Sequence, residues 1–247
     1  MKRSIVHLSW SLPGFAVLIT IWWLVTNASD GMATLFSPEQ AFISLWVMFH
    51  QGLLIQNIIV SLSRVAIGLG FALLIGVPIG LMIGCSAVLE RITMPAMQFL
   101  RMVSPISWMP IAVMMLGIGD HSIWFLLAFA AVWPIILNTA SGVKQLPPGW
   151  TMLAKSLSAT PVEWLWYIVV PAVRIHVLTG IRLSIGVLWI VLVPCEMLGV
   201  NSGLGYAILD ARDRLDYPAL MAVIITIGFI GFVMDWLSRI LISHTRH

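Results

Sequence analysis

Long apolar runs separated by short polar turns dominate the pattern along this chain. A membrane-spanning helix needs about 20 mostly apolar residues. Six stretches approach or exceed that length: about 10–26, 57–83, 94–118, 122–139, 177–198 and 219–242. The third is interrupted by Pro105 and Pro110, each of which removes a backbone donor and bends a helix. In the second, Gly68, Gly70, Gly76, Gly80 and Gly84 recur at roughly four-residue spacing, which predicts a face for close helix packing. The pattern therefore predicts an all-α membrane protein with about six transmembrane helices, built as one domain over 1–247.

Composition sets the solvent. Of 247 residues, 60% are apolar and 9% charged, against about 25% charged in an ordinary soluble domain. The net charge of +3 comes from only 13 Lys and Arg, too few for a nucleic-acid surface. They mark one side of a membrane instead. Lys2, Arg3, Arg91, Arg101, Lys144, Lys155, Arg174, Arg239 and Arg246 fall at the termini and on alternate connections, which places both termini in the cytoplasm. The opposite connections 27–56 and 119–121 hold no cation, and 199–218 offsets Arg212 and Arg214 with Asp210, Asp213 and Asp216. No small-x-small cleavage site follows the first apolar run, which reads as a retained helix.

Cys85 and Cys195 lie in apolar segments and read as two buried thiols. The six histidines, His7, His50, His121, His176, His244 and His247, are scattered, have no metal spacing and read as interfacial. No phosphate-binding G-x-x-x-x-G-K-[ST] loop occurs, so any ATP chemistry belongs to another chain. No nucleophile–base pair or His-x-x-x-His with an acid is present, which argues against an intramembrane enzyme. A secondary transporter would need more buried titratable groups.

Charges at bilayer depth cost about 2.5–3.5 kcal/mol on insertion scales, so each one asks for a role. Arg64 is read either as a cation attracting an anion from outside or as a partner for Glu196. Arg182 and Asp235 are read as a pair or as snorkelling side chains. The Ser104-Pro105-Ile106-Ser107-Trp108 break offers hydroxyls and freed backbone to a pathway, and Asn138 could add an amide. The candidate pathway residues are Arg64, Ser104, Ser107, Trp108, Asn138, Arg182 and Glu196.

The connection 140–176 is the longest on the cation-rich side, with its informative part at about 144–171. Pro147-Pro148-Gly149 opens a helix-permissive, amphipathic run from Trp150 to Leu157. Thr160-Pro161-Val162-Glu163 has the form of a capping box, with Thr160 as N-cap and Glu163 three residues on. A second short helix is expected from Trp164 to about Val169, stopping before Pro171. Trp150, Trp164, Trp166 and Tyr167 would anchor this elbow at the membrane face.

The elbow resembles the coupling loop of type I ABC importer permeases, whose usual form is Glu-Ala-Ala, three residues, Gly, then Ile-x-Leu-Pro. Here Met152-Leu153-Ala154 is followed by Ser158 and by Ile168-Val169-Val170-Pro171, so only Ala154, Ile168 and Pro171 match, and Met152 and Ser158 replace the leading Glu and the Gly. Other segments resemble the nitrate/sulfonate/taurine permeases in the same order: Ser61–Gly68, Gly76–Gly80, Leu100–Pro110, Trp133–Thr139, Leu178–Arg182, Cys195–Leu198 and Asn201–Tyr206. The resemblance implies the type I importer permease fold and a translocation pathway for a small anion (nitrate, sulfonate or taurine). It implies a second permease copy, ABC ATPase subunits that carry the ATP and magnesium, and a periplasmic or lipid-anchored substrate-binding protein. Coupling to the ATPase would fall to Met152, Ala154, Lys155, Ser158, Thr160 and Glu163. The chain itself would bind no cofactor or metal and would sit in the bacterial inner membrane. The alternatives are an accessory or channel-like subunit without an ATPase, and a permease for a non-anionic solute such as a pyrimidine precursor.

Overall fold

The computed structural model describes residues 2–28 and 32–244. Arg246 and His247 lie outside the described residues, as do the side chains of Lys2, Arg3, His7, Lys155 and His244. The described chain is helical, with no strand among the described residues. The helices are α1 (Lys2–Ala28), α2 (Pro38–His50), α3 (Leu53–Cys85), α4 (Ala87–Met102), α5 (Met109–Leu116) and α6 (Asp120–Lys144). There follow α7 (Pro148–Ser156), α8 (Pro161–Trp164), α9 (Val170–Gly199), α10 (Leu204–Asp213) and α11 (Tyr217–His244).

Four helical runs are long and apolar enough to cross a membrane: α3, α6, Pro161–Gly199 and the described part of α11. A fifth crossing is a bent pair, Ala87–Met102 with Pro105–Leu116, whose halves meet at 88°. The proline-broken span expected over 94–118 is thus two helices at a right angle. Pro105 opens a 3₁₀ turn, Pro105–Trp108, and Pro110 sits in the first turn of α5. Both prolines occupy positions where a missing N–H costs nothing. At the N-terminus the described apolar helix is Ala16–Ala28, shorter than a full span.

α6 is the centre of the bundle, packed between α3 and α9. The α3–α6 seam follows from small residues repeating every four positions. A Cβ built on Gly68 would lie 2.6 Å from Leu127, on Gly76 2.9 Å from Ile135, on Gly80 2.6 Å from Thr139 and on Gly84 2.6 Å from Val143. Ala72, fully buried, fills the remaining step. Partners stay 59 residues apart along the seam (68 to 127, 76 to 135, 80 to 139, 84 to 143). The two helices are therefore parallel, in constant register, with their i±4 rows in contact. Parallel neighbours require the chain to return across the layer between them, and the bent α4–α5 pair makes that return. Gly70 departs from expectation: nothing lies within 4 Å of its Cβ position, because it stands two residues, about 200°, around the helix from Gly68.

α9 runs antiparallel to α6. Gly142 of α6 meets the His176 ring near one end, and Gly180 meets Ile135 and Asn138 further along. In the low dielectric between them, the Ser184 hydroxyl donates to the Ala131 carbonyl at 2.8 Å. α10 and α11 close the outer side, with Leu204, Ala207 and Val223 packed on Leu54. Large apolar side chains such as Leu74, Ile190 and Phe229 cover the periphery, as expected of helices whose surrounding solvent is hydrocarbon. Cys195 is buried, but Cys85 is exposed at the end of α3, contrary to the expectation of two buried thiols.

Candidate functional site

Three regions carry the polar chemistry: a knot of charges at one end of the bundle, cavities walled by α4, α6 and α9, and the elbow at the opposite end.

Arg64 is 2% exposed and Glu196 fully buried. All three guanidinium nitrogens of Arg64 donate. Nη1 reaches Glu196 Oε1 and the Ser202 carbonyl, each at 2.7 Å, and Nε reaches Asp120 Oδ1 at 2.8 Å. Nη2 reaches Asp120 at 2.8 Å and the Ser202 hydroxyl at 3.0 Å. Glu196 also accepts from the Gly205 N–H at 2.8 Å, and Ser61 Oγ lies 2.8 and 2.9 Å from its two oxygens. The same hydroxyl accepts the Leu204 N–H, and Asn57 Oδ1 accepts the Gly203 N–H. One buried cation thus ties α3, the start of α6, the end of α9 and the loop into α10. The glycines of Asn201-Ser202-Gly203-Leu204-Gly205 follow from this packing. Gly203 has φ +105° and its Cβ would fall 2.4 Å from Glu196 Oε1, while a Cβ on Gly205 would fall 2.3 Å from the Val193 carbonyl. Of the two readings of Arg64, the structure displays the partnership with Glu196.

The cavities lie toward the other end. The larger, about 440 Å³, is walled by Arg101, Val103, Pro105, Trp133, Pro134, Asn138 and Leu183, among others. Its neighbour, about 210 Å³, shares Arg101, Trp133 and Leu137 and adds Gln98. No carboxylate lines either. Asn138 is thus in a cavity wall, its amide held by donation to the Pro134 carbonyl at 2.8 Å. Ser104 and Ser107 are exposed beside the α4–α5 break, and the Ser107 N–H closes its turn on the Ser104 carbonyl. Trp108 is half-buried against Phe129. Arg182 stands elsewhere, 3.7 Å from Asp235, which also pairs with Arg239. In the sequence Arg101 marks the membrane side and stands in the Leu100–Pro110 resemblance, and neither reading gives it a cavity. Its place in the cavity walls depends on the bend after Met102, which the proline spacing alone does not specify.

The elbow has the expected start and a different finish. α7 ends in a left-handed turn: Ser158 has φ +53°, and the Ala159 N–H bonds the Ala154 carbonyl at 3.0 Å. This is the wrapped C-terminus that glycine usually supplies, which explains Gly at this point of the usual coupling motif. Thr160 and Glu163 form the full capping box. The Glu163 carboxylate accepts from the Thr160 N–H and hydroxyl, both at 2.8 Å. These bonds hold the Glu163 carboxyl below its ordinary pKa. The run Pro161–Gly199 holds 39 residues, far more than the ~20 a span needs, so its first turns stand outside the membrane.

The second short helix does not stop before Pro171. It passes through a π-turn, Leu165–Val169, into α9. The wider turn gives the proline ring room that a regular α-helix denies it. Met152 is 68% exposed, whereas Ala154 is 5% exposed and lines a small groove with Thr151, Ala159, Pro161 and Trp164. Trp150, Trp166 and Tyr167 are exposed as expected of surface anchors. Trp164 instead packs inward on the cluster of Val143, Val169 and Val173. His176 likewise is not a free interfacial ring: it packs on Gly142 and pairs through Nε2 with Gln145.

This arrangement defines a class of membrane protein. A chain of the MetNI methionine ABC transporter in an inward-facing conformation superposes with a TM-score of 0.67 at 15% identity, over 79% of this chain and 97% of that one. Residues 76–247 match the model of the binding-protein-dependent transport system inner membrane component. The chain belongs to that family, the permease subunits of ABC importers, and is a multi-pass inner-membrane protein. It is 32% identical over 244 residues to the bicarbonate transport system permease protein CmpB of Synechococcus elongatus, covering 92% of this chain and 87% of that one. It is 31% identical over 232 residues to the taurine transport system permease protein TauC of Escherichia coli, covering 91% and 84%.

Proposed function

We propose that this chain is the membrane pathway for import of a small oxyanion, of the nitrate, bicarbonate, sulfonate or taurine type. The observation that carries the reading is the wall of the two adjoining cavities, which holds a cation and amides but no carboxylate. Two relatives named for bicarbonate and taurine transport support it. The pathway forms between two copies of the chain, with both termini in the cytoplasm. ATPase subunits, which hold the ATP and magnesium, dock on the elbow around Met152, Ala154, Lys155 and Ser158, with Thr160 and Glu163 fixing its corner. A binding protein delivers the anion to the opposite face, where the knot of Arg64 and Glu196 braces the helix ends. Closure of the ATPases moves the elbows as rigid bodies and alternates access. A capped, two-helix corner can transmit such a push, whereas a flexible loop would absorb it.

The test is co-reconstitution with the candidate ATPase and binding protein in proteoliposomes. The wild type is expected to copurify with the ATPase and to take up labelled nitrate, bicarbonate or taurine in an ATP-dependent way. Met152→Asp, at an exposed position of the elbow, is expected to weaken ATPase binding without unfolding the chain. If the intact protein binds no ATPase in lipid, the coupled-import reading fails.

A further inference from the structure

We infer that Arg101 is the oxyanion-binding residue of the translocation cavity, with Trp133 beside it as a positioning residue; this rests on the anion-import reading above. Arg101 lies in the last turn of α4, where the chain turns through 88°. It borders both adjoining cavities and is exposed to them. Arg64 pairs with Glu196 and Asp120, Arg182 and Arg239 with Asp235, Arg212 with Asp213 and Arg214 with Asp210. The side chains of Arg91, Arg101 and Arg174 have no ion pair among the described residues, and of these three Arg101 alone lines the two cavities.

Asn138 stands in the same cavity wall, six residues from the end of α6 at Lys144, about 9 Å at 1.5 Å per residue. A guanidinium facing a cavity with no acid in its wall keeps its donors free for an acceptor that comes and goes. Beside it, Trp133 borders both cavities, and its indole Nε1–H is shielded with no acceptor among the described residues. Phe129 stands edge-on to the Trp133 ring at 5.3 Å and limits its movement. The guanidinium presents several N–H groups in a flat fork, which matches two oxygens of a planar or tetrahedral oxyanion better than it matches a halide. The class of ligand is therefore an oxyanion with at least two acceptor oxygens, and chloride should compete poorly.

The experiment uses the full complex in proteoliposomes, with labelled nitrate, bicarbonate and taurine as probes and chloride as competitor. Assembly and basal ATP hydrolysis are measured in parallel. Arg101→Gln is expected to cut uptake of the transported anion by about tenfold or more, with assembly and basal hydrolysis retained. Arg101→Lys should recover part of the rate but lose discrimination against chloride, because its ammonium has no fork. Trp133→Leu, which removes the aromatic wall beside Arg101, should raise the concentration needed for half-maximal uptake more than it lowers the maximal rate. Wild-type rates and selectivity in Arg101→Gln would overturn the inference while leaving anion import standing. Loss of the permease pair in Arg101→Gln would also overturn it, making Arg101 an assembly residue. A wild type that transports none of the three probes would instead remove the anion reading beneath it.

Discussion

The two ends of this bundle are held by different physics. At the end of Glu196, a fully buried ion pair and its hydrogen bonds join four chain segments, with Ser61 to Gly205 spanning most of the sequence. At the opposite end the elbow is held by a capping box, a left-handed turn, an apolar cluster around Val169 and an ion pair between Lys144 and Glu90 that is partly exposed. A buried, fully bonded charge tolerates almost no displacement, since a lost partner leaves an uncompensated charge. A cap or a partly exposed ion pair contributes about 1 kcal/mol, so no single loss among them releases the elbow. The contrast separates an end pinned by one buried charge pair from an elbow held stiff by several small local contributions.

The largest expected effect lies in the knot. Glu196→Ala should destabilise the protein by about 3–5 kcal/mol, because buried Arg64 keeps only one acid, the half-exposed Asp120, beside its neutral Ser202 contacts. Mixed-micelle unfolding would detect this. A loss below about 1 kcal/mol would remove the contrast between the ends. The double change Arg64→Met with Glu196→Leu should recover much of the loss, as apolar replacement of a buried pair often does.

The seam between the ends comes next. Gly80→Ala places a methyl 2.6 Å from Thr139 Cβ and 2.8 Å from the Ile136 carbonyl, and overpacking of this kind costs about 1–3 kcal/mol. Gly70→Ala faces open space and should be neutral or slightly stabilising, since alanine favours the helix by up to about 1 kcal/mol. Equal effects at the two glycines, read from thermal unfolding in detergent, would contradict the parallel register of α3 and α6.

Smaller effects belong to the elbow. Thr160→Ala removes the N-cap and should cost about 1 kcal/mol. It should show as faster amide exchange over 162–164 with little change at the knot. Smallest is Ser158→Gly, which relieves a left-handed backbone in a non-glycine residue and should stabilise by a few tenths to about 1 kcal/mol. A destabilisation there would mean that the Ser158 side chain contributes something its exposure does not reveal.

Much of the elbow was legible because its signals are local. Thr160 and Glu163 are three residues apart, and a capping box needs nothing beyond that spacing and its backbone. The exit was not legible: Pro171 reads as a stop, yet the π-turn carries the helix past it. The small-residue rule found four of the five glycines in the seam, but it could not exclude Gly70, whose side of the helix is fixed by α6 alone. The right-angle bend at 103–104 likewise needed the surrounding helices, because two prolines in an apolar stretch are equally compatible with a kink.

The sequence by itself determined that lipid is the solvent, that the chain is helical, and where its strongest caps and closest-packed helix fall. Those properties depend on composition and on spacings of three or four residues, which the helix repeat turns directly into faces. Tertiary structure decided the fate of the charges. Arg64 and Glu196 stand 132 residues apart, and nothing in a sequence of that separation says that they meet, while Arg101, an arginine in another apolar segment, is left facing a cavity. Helical periodicity states which residues share a side of one helix. Only the packing of helices selects what that side confronts, and at low dielectric that choice separates a neutralised structural cation from one free to bind.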